Sequence, residues 1–526
     1  MNATTDTLTR DPAAAAAQRY DLIVVGGGIY GAAVTLEAAR RGRRVLLIER
    51  DDFGQHTSWG SLRIVHGGLR YLQTLDLPRF FESVRERRWF LRHLPDAVRP
   101  LTCLMPLYGQ GLKRPLTFGA ALWMNHLLSL GRNAGVRADA RLERGGILGP
   151  EETARLLPQV RREGLRGGGL WHDAFMLSSE RVLIELLRWA GRCGAQTLNY
   201  TEATALLTEG GRVTGVEAVD HCSGATVRFA APVVLTCGGP WSRSLSKVLD
   251  TEKPRLIAAS LAFNLMLDRP PVSEAAVAVG PPRRAGEDGR MYFVLPWKGK
   301  VFAGTCHLAY DVKARGLSRI GPTEEEVAHF LDELNASLPD LKATRRDVIR
   351  IYAGVVPAVA EGSNKTSGRA VVVDHGGEGG PRGLVSVSGV KYTTARYEAA
   401  KALRVALGPL QRLPDPAPDA PRGVAARLLD LDGGTVTDAA ALRTLAAEES
   451  VVHLDDLLLR RLDLTCGPDV ALQLADPVLA ALGWDAQRVE AERQRWARIV
   501  AGPAFGGPVA GDQTAESLHD SGNASL

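Results

Sequence analysis

Residues 20–50 read YDLIVVGGGIYGAAVTLEAARRGRRVLLIER, and this stretch decides the fold. A short apolar run enters a turn with glycines spaced Gly-x-Gly-x-x-Gly, a helical pattern follows, and a second apolar run ends at Glu49. Glycines at this spacing permit a tight turn, a close approach of the backbone to a pyrophosphate, and close packing of helix on strand. The sequence therefore predicts a dinucleotide-binding strand–helix–strand unit.

Three glycines, Gly26, Gly28 and Gly31, are the expected contacts of the dinucleotide. The diphosphate would lie at the N-terminus of the helix, where unpaired N–H groups and the helix dipole favour negative charge. Glu49 can accept hydrogen bonds from ribose hydroxyls at the end of the second strand. We also assign its neighbour, Arg50, to the cofactor site.

A second motif, HTSWGSLRIVHGGLRYLQ at residues 56–73, indicates which dinucleotide binds. A nicotinamide-dependent enzyme would normally continue its alternation of strands and helices here. The short hydroxyl side chains of this motif instead suit phosphate and ribitol oxygens, and its paired glycines let the backbone lie close to an isoalloxazine ring. The motif thus favours a flavin dinucleotide. Its expected contacts are Thr57, Ser58, Ser61, His66, Gly67, Gly68 and Leu69.

The second motif resembles the FAD-dependent, aerobic-type glycerol-3-phosphate dehydrogenase family of the D-amino-acid-oxidase-like flavoprotein superfamily. Members of that family carry a Ser/Thr-rich turn, a basic residue and then HGGLRYL. The resemblance extends over residues 20–406, with a weaker likeness of EESVVHLDDLLLRRLDL, residues 448–464, to a helix of the family. It implies FAD as cofactor and oxidation of sn-glycerol 3-phosphate to dihydroxyacetone phosphate by hydride transfer to flavin. It also implies that electrons pass to quinone at the inner face of a membrane.

Two later turns resemble further parts of the family's flavin site. PVVLTCGGPWS, residues 232–242, is similar to a turn where a strand returns under the diphosphate. GVKYTT, residues 389–394, resembles GGKLTT of the family, which caps a helix under the pyrimidine end of the flavin. The cofactor residues assigned on this side are Ala203, Gly238, Gly239, Gly389, Lys391, Tyr392 and Thr393.

Candidate substrate and catalytic residues are cations and histidines near these motifs. Arg70 and Tyr71 end the HGGLRY stretch, and an arginine fork matches phosphate oxygens. By resemblance, Lys391 stabilises charge on the reduced ring, and Arg369, in SNKTSGRAVVVDH, is a second phosphate-binding arginine. His66 is one candidate for the general base because neutral imidazole accepts a proton near pH 7. His307 is a second candidate, although a structural role is the stronger interpretation for it.

The substrate side departs from the family pattern at several positions. GVRPL of the family reads GVVPA here, so Val356 stands where an arginine binds phosphate. Other family motifs are replaced by Ala258-Ala259-Ser260-Leu261, by Gly304-Thr305-Cys306-His307 and by Ser178-Ser179. Two alternatives therefore stay open. One is an enzyme of the same family acting on another hydroxy or amino substrate, and the other is a flavin-binding protein without catalysis.

Composition narrows the class of protein. The chain has 526 residues, 45% of them hydrophobic, and a net charge of +5, which is no argument for nucleic acid binding. Its six cysteines contain no CxxC pair, so we expect reduced thiols, no metal site and a cytoplasmic location. We expect neither a secretory signal nor a membrane-spanning segment.

The predicted fold is α/β, with a Rossmann-like FAD-binding domain, an inserted antiparallel substrate-binding sheet and a small helical C-terminal domain. We expect a flexible tail at 1–19 and an FAD-binding domain at 20–254 and 355–408, with a helical insertion at about 95–150. The substrate domain is expected at 255–354. A Pro-rich linker at 409–423, a helical domain at 424–502 and a disordered tail at 503–526 would follow.

One apolar segment, residues 101–132, has two interpretations. It is interrupted by Pro106 and Pro115 and carries the amphipathic rings of Tyr108 and Trp123. Such a segment suits contact with a membrane surface. It equally suits helices packed over the flavin domain, which is the favoured interpretation. A peripheral position on the inner membrane face therefore stays open.

Overall fold

The computed structural model describes residues 7–109, 114–241, 258–281, 290–411, 413, 429–430 and 434–506. Its first sheet, the cofactor sheet, has six strands. Five are parallel, and the edge strand Val371–Asp374 is antiparallel. In spatial order the strands are Val371–Asp374, Leu384–Ser388, Val234–Thr236, Leu22–Val25, Val45–Ile48 and Gln196–Leu198.

The glycine-rich helix, Ile29–Ala39, is buried along its whole length, and so are both strands that flank it. It packs against the helices Ser179–Arg192 and Ala395–Leu407. Complete burial explains its sequence, which is apolar all round rather than amphipathic. The predicted strand–turn–helix–strand unit is therefore present, with its first strand at Leu22–Val25.

A three-stranded antiparallel meander borders the cofactor sheet, and its residues share a core cluster with Ile23 and Ile48. The strands of this meander are Thr201–Glu209, Arg212–Asp220 and Thr226–Ala230. The Gly210-Gly211 turn predicted from the sequence joins its first two strands.

The second large sheet, the substrate sheet, has nine strands and draws on more of the chain than residues 255–354. The segment 98–107, expected within a helical insertion, is a ten-residue strand that pairs with Gly167–Met176. The apolar run had no clear period, so a strand and a helix could not be distinguished from it. The strands are Val348–Pro357, Ala259–Leu267, Lys300–Ala309, Tyr292–Trp297, Ala276–Val279, Val98–Leu107, Gly167–Met176 and Ile64–Val65, with Gly146–Leu148 paired to Gly167–Met176.

Helices cover both sheets and form the C-terminal region. Around the sheets they are Leu69–Leu72, Leu77–His93, Pro115–Leu128, Pro150–Leu156, Val312–Arg315 and Glu324–Ser337. The C-terminal helices are Ala439–Glu448, Pro468–Gln473, Ala475–Leu482 and Ala486–Val500, with a π-helix at Asp456–Arg461 and a short pair of strands, Leu429–Asp430 and Thr435–Val436.

Buried ion pairs hold the C-terminal helices against the cofactor domain. Asp52, close to Glu49 in the sequence, accepts hydrogen bonds from both Arg460 and Arg461, and all three are fully buried. Burial alone would raise the pKa of Asp52, but the two guanidinium groups hold it well below its usual range. Removing one partner of such a pair would leave a buried charge uncompensated, which is strongly destabilising.

The N-terminal segment differs from the expected flexible tail over residues 7–19. It contains the helix Pro12–Ala16, and Leu8 is buried with its backbone N–H bonded to Glu448. This helix has only five residues, which is too short for a periodic pattern to be visible in the sequence. Residues 1–6, most of the Pro-rich linker and residues 507–526 lie outside the described residues.

Candidate active site

The glycine-rich turn has no room for side chains at two of its three glycines. A Cβ on Gly31 would lie 1.8 Å from the carbonyl oxygen of Gly26, and one on Gly26 would lie 2.6 Å from that of Cys237. Gly26 also has φ +107°, a conformation that L side chains rarely adopt. These contacts place the turn at Gly238 against the end of the first strand.

Gly28 differs from the other two glycines because no backbone atom of the protein would clash with a side chain there. A Cβ at this position would meet only the Ser58 hydroxyl, at 3.2 Å. The same hydroxyl accepts a hydrogen bond from the Ile29 N–H, the first residue of the helix, at 2.9 Å. The open space at a helix N-terminus fits a diphosphate, whose oxygens can bind free N–H groups.

Glu49 lies directly beside this turn. Its carboxylate accepts hydrogen bonds from the backbone N–H groups of Gly27, at 2.5 Å, and Asp51, at 3.0 Å. Burial raises its pKa, and these two N–H groups partly offset that effect. The next residue, Arg50, stacks on the Trp241 ring at 4.3 Å. Both residues thus border the place expected for the ribose.

Tyr30, which the sequence did not single out, joins the glycine-rich helix to the turn at 389–391. Its hydroxyl accepts a hydrogen bond from the Val390 N–H and donates one to the Lys391 carbonyl, each at 3.2 Å. A Cβ on Gly389 would lie 1.8 Å from the Tyr30 ring, so only glycine fits there. The two ends of the cofactor domain are therefore held together at Lys391.

The HGGLRY turn is organised by Asp173, a buried carboxylate that the sequence did not reveal. Asp173 accepts hydrogen bonds from the Gly67 N–H at 2.6 Å and from Arg87 at 2.5 Å, and it lies 3.7 Å from Nδ1 of His66. Burial would raise its pKa, but His66 and Arg87 hold it well below its usual range. The position of Arg87 also explains why residue 67 is a glycine, because a Cβ there would lie 2.0 Å from the guanidinium.

One cleft brings together three of the predicted substrate residues, Tyr71, Arg369 and Lys391. Lys391 Nζ donates a hydrogen bond to the Tyr71 hydroxyl. Residues separated by about 300 positions in the chain thus meet at one place. The other lining residues are Tyr30, Arg79, Glu82, Ser83, Gly368, Ala370, Val390, Thr394 and Glu398.

Arg70, His66 and His307 do not line this cleft. Arg70 is exposed, with its guanidinium 5.8 Å from the Tyr71 ring centre. Burial, with a smaller effect of the Arg70 charge, lowers the pKa of His307 to about 4. His307 is therefore neutral at pH 7. It lies on the strand Lys300–Ala309, and its Nδ1 is buried without a hydrogen-bond partner among the described residues. His66, whose side chain is 49% exposed, is the more accessible of the two candidate bases.

Several other assigned residues have partners within the protein. Thr57 donates a hydrogen bond to the Val355 carbonyl, Ser61 accepts one from the Arg63 N–H, and the Tyr392 hydroxyl donates to the Ser179 carbonyl. Three more of the assigned residues lie in or beside the cofactor sheet. Ala203 is buried in the meander, Gly239 begins the turn Gly239–Trp241, and Thr393 lies in the single turn Tyr392–Thr394.

The residues that differ from the family pattern on the substrate side lie on strands or at the start of a helix. Val356 and Leu261 are buried on the paired strands Val348–Pro357 and Ala259–Leu267. Ser178 is the N-cap of the helix Ser179–Arg192, and its hydroxyl accepts a hydrogen bond from Arg181 N–H at 3.1 Å. A capping serine is a structural reason for that residue. Val356 has no polar atom to bind an anion.

The family model for "FAD dependent oxidoreductase" matches residues 21–396. The chain belongs to the FAD-dependent oxidoreductase family. It is similar to a glycerol-3-phosphate dehydrogenase of Synechocystis sp., with 31% identity over 412 residues, which span 76% of this chain and 72% of that protein. An aerobic glycerol-3-phosphate dehydrogenase of Staphylococcus haemolyticus is 31% identical over 386 residues, 73% of this chain and 66% of that protein.

Solved structures of the same family share the fold. The glycerol-3-phosphate dehydrogenase from Bacillus halodurans complexed with FAD gives a TM-score of 0.69 at 21% identity, covering 95% of this chain and 98% of that chain. The L-alpha-glycerophosphate oxidase from Mycoplasma pneumoniae with FAD bound gives 0.54 at 17% identity, covering 76% and 97%. The predicted α/β fold is confirmed.

Membership of the FAD-dependent oxidoreductase family confirms the predicted cofactor, the enzyme class and the resemblance to glycerol-3-phosphate dehydrogenases. The described part of the chain holds no cluster of side chains suited to a metal ion. Within the same residues, no helix is long and apolar enough to cross a bilayer.

We predict that Gly28→Val yields a folded protein that has lost its flavin. The added side chain meets only the Ser58 hydroxyl but occupies the space expected for the diphosphate. The flavin-to-protein ratio from absorbance should fall at least tenfold, with an unchanged circular dichroism spectrum. Gly149→Val is the control, because that position is exposed, nothing lies within 4 Å of it and its φ of −66° suits any residue. Full flavin content in Gly28→Val would contradict the placement.

We predict that His307→Leu removes part of the acid sensitivity of the fold. The pKa of His307 is about 4 in the folded state against 6.5 ordinarily, so the unfolded chain takes up its proton first as the pH falls. Stability is therefore lost from about pH 6.5 down to pH 4, with about 2 kcal/mol gone by pH 5. Urea unfolding at pH 7 and pH 5 measures the loss.

The exposed His329 provides the control for this measurement, because His329→Leu should keep the acid sensitivity of the parent protein. An equal loss of stability in His307→Leu and the parent protein between pH 7 and pH 5 would show that His307 does not titrate in this way.

Proposed function

We propose that this chain oxidises sn-glycerol 3-phosphate to dihydroxyacetone phosphate, as the names of its relatives suggest for them. The observation that carries the proposal is the cleft in which Arg369, Lys391 and Tyr71 meet next to the glycine-rich turn. Cations at such a place suit a phosphorylated substrate, because arginine and lysine bind phosphate oxygens through charge-assisted hydrogen bonds.

FAD, when bound, supplies the two-electron acceptor for the C–H bond of the substrate. Gly26, Gly28 and Glu49 would hold its diphosphate and ribose, and the turn at Gly389 would border its ring. The protein's own part is to bind and orient the alcohol. Lys391, fixed by its bond to Tyr71 and by the Tyr30 contacts to its backbone, holds a positive charge at the cleft.

His66 is the residue that we assign to remove the hydroxyl proton. Its Nδ1 lies 3.7 Å from Asp173, whose negative charge stabilises the imidazolium that forms. Arg87 and the Gly67 N–H fix that carboxylate. His66 would therefore take up the proton beside a negative charge that is held in place.

A second candidate function keeps the flavin chemistry and changes the substrate to another hydroxy or amino compound. It is favoured by Glu82 and Glu398, two carboxylates that line the same cleft as the cations. Burial, together with the charge of Glu398, raises the pKa of Glu82. A carboxyl group in this position would suit hydroxyl or amino groups of a substrate.

Anaerobic flavin reduction separates the two functions. The oxidised holoprotein is mixed without oxygen with glycerol 3-phosphate, and bleaching of the flavin absorbance is followed in a stopped-flow instrument. Rapid bleaching with dihydroxyacetone phosphate as product supports the first function. Bleaching only by another member of a panel of alcohols, hydroxy acids and amines would replace it with the second. A flavin that no compound reduces would contradict both.

We predict that Lys391→Met keeps the flavin but slows its reduction by glycerol 3-phosphate. The substitution preserves the length of the side chain and removes the charge beside Tyr71. A lost hydrogen bond to a charged group costs about 1.5–3 kcal/mol, or roughly 10- to 150-fold in rate. Lys313→Met, at an exposed side chain, is the control. Equal reduction rates in the two variants would remove Lys391 from the site.

We also propose a membrane surface as a partner, with quinone as electron acceptor. Large apolar side chains lie exposed along one face of the helix Pro115–Leu128 and just beyond it. Leu128 of this helix packs against the cluster of Tyr71, Leu72 and Phe80, so the face lies near the cleft. An exposed apolar face of this size marks a contact site. The exposed residues are Leu116 at 88%, Trp123 at 68%, Leu127 at 48% and Leu130 at 66%.

We predict that the holoprotein co-sediments with vesicles rich in phosphatidylglycerol, and that Trp123→Ser/Leu127→Ser binds at least tenfold more weakly. The estimate follows from losing about 1.5–3 kcal/mol of burial for each large apolar side chain. Leu472→Ser, another exposed leucine, should bind like the parent protein. No binding by the parent protein, or equal binding by the double variant, would contradict the proposal.

A further inference from the structure

The cleft contains a cation that the family pattern did not indicate. Arg79 lies in the first turn of the helix Leu77–His93, which carries several other arginines. Its guanidinium lies 5.9 Å from the ring centre of Tyr71 and forms part of the cleft lining. It therefore faces Arg369 and Lys391 from a different segment of the chain.

The helix start fixes the direction of the Arg79 side chain. Asp76, the N-cap, accepts a hydrogen bond from the Arg79 N–H at 3.2 Å with one carboxylate oxygen. The other oxygen of Asp76 lies 3.2 Å from Nε of the same residue. The guanidinium thus has an ion-pair contact at its base, and its two terminal nitrogens have no acceptor among the described residues.

The neighbouring backbone is shaped to receive this guanidinium. A Cβ on Gly368 would lie 2.4 Å from one terminal nitrogen of Arg79, so the absence of a side chain makes the space that the group occupies. Gly368 immediately precedes Arg369. The N–H of Ser367 donates a hydrogen bond to the carbonyl of Pro357 at 2.8 Å. Arg79 therefore contacts, at Gly368, the segment that follows the strand Val348–Pro357, on which Val356 lies.

We propose that Arg79 binds the anionic group of the substrate, compensating for the arginine that Val356 replaces. The inference rests on the proposed function, because it assumes that the cleft takes a phosphorylated substrate. Arg79 and Arg369 would grip the anion from opposite segments, each with free N–H groups, while Lys391 adds a third charge. A planar guanidinium held at its base is suited to bidentate contact with phosphate oxygens. Arg79 thus acts as a specificity-determining residue.

The test compares anaerobic flavin reduction by glycerol 3-phosphate and by glycerol, which lacks the anionic group, in Arg79→Ala holoprotein. The half-saturating concentration of glycerol 3-phosphate should rise roughly 10- to 100-fold. The second-order rate constant with glycerol should change less than about twofold. Arg79→Lys should keep part of the preference, because it retains the charge without the fork. Arg85→Ala removes an exposed charge from the same helix and should behave as the parent protein.

A second variant displaces the Arg79 guanidinium without removing the arginine. Gly368→Ala keeps every charge but displaces the Arg79 guanidinium. It should raise the half-saturating concentration of glycerol 3-phosphate without affecting glycerol. An equal loss for both substrates, or no loss for either, in Arg79→Ala would overturn the assignment. Flavin content and melting temperature show whether each variant is folded.

Inorganic phosphate distinguishes failure of this inference from failure of the proposed function. If glycerol 3-phosphate does not reduce the parent protein, the proposed substrate is wrong, whatever the role of Arg79. Phosphate titrated into the oxidised holoprotein should still perturb the flavin absorbance, with roughly 10- to 100-fold weaker binding in Arg79→Ala. No perturbation in the parent protein, or the same affinity in Arg79→Ala, would overturn the anion site.

Discussion

The contact between the first turn of the helix Ile29–Ala39 and the strand Leu22–Val25 is the constraint on which the site depends. Gly31 approaches the carbonyl of Gly26 so closely that a Cβ would overlap it. This packing sets the direction of the helix, and with it the N-terminus that faces the diphosphate. Because Tyr30 lies in the same turn, the same packing also fixes the distant segment that carries Lys391.

The substrate half of the site depends on contacts between segments that are far apart in the chain. Asp173, on the strand Gly167–Met176 of the substrate sheet, holds the HGGLRY turn through Gly67 and Arg87. The cleft then forms where that turn and the helix after it meet residues 368–370 and 390–398. Cofactor and substrate regions are therefore linked by a few buried polar contacts rather than by one continuous motif.

The parts of this architecture that could be predicted from the sequence are those in which local pattern and tertiary structure agree. The glycine spacing predicted the turn because the steric exclusion at Gly31 comes from Gly26, which is close to it in the sequence. Tyr30 could not be predicted in the same way. Its role depends on the approach of Gly389, more than 300 residues away, and nothing in the local sequence reports that contact.

The same reasoning explains the errors on the substrate side. The segment 98–107 is buried between two other strands, so its apolar run lacked the alternation that marks a half-exposed strand. In the sequence, Arg79 cannot be distinguished from the other arginines of its helix. Its place in the cleft depends on the space left by Gly368, which is distant in the chain. Arg70 was favoured because it lies in a known motif, yet its side chain is exposed outside the cleft lining.

The most direct test of the account is a crystal structure of the reduced holoprotein soaked with glycerol 3-phosphate. The account predicts the flavin diphosphate at Gly26 and Gly28. It predicts the substrate phosphate in the cleft, with oxygens about 3 Å from side-chain nitrogens of Arg79, Arg369 and Lys391. A phosphate bound elsewhere, with these three side chains pointing away from it, would contradict the account.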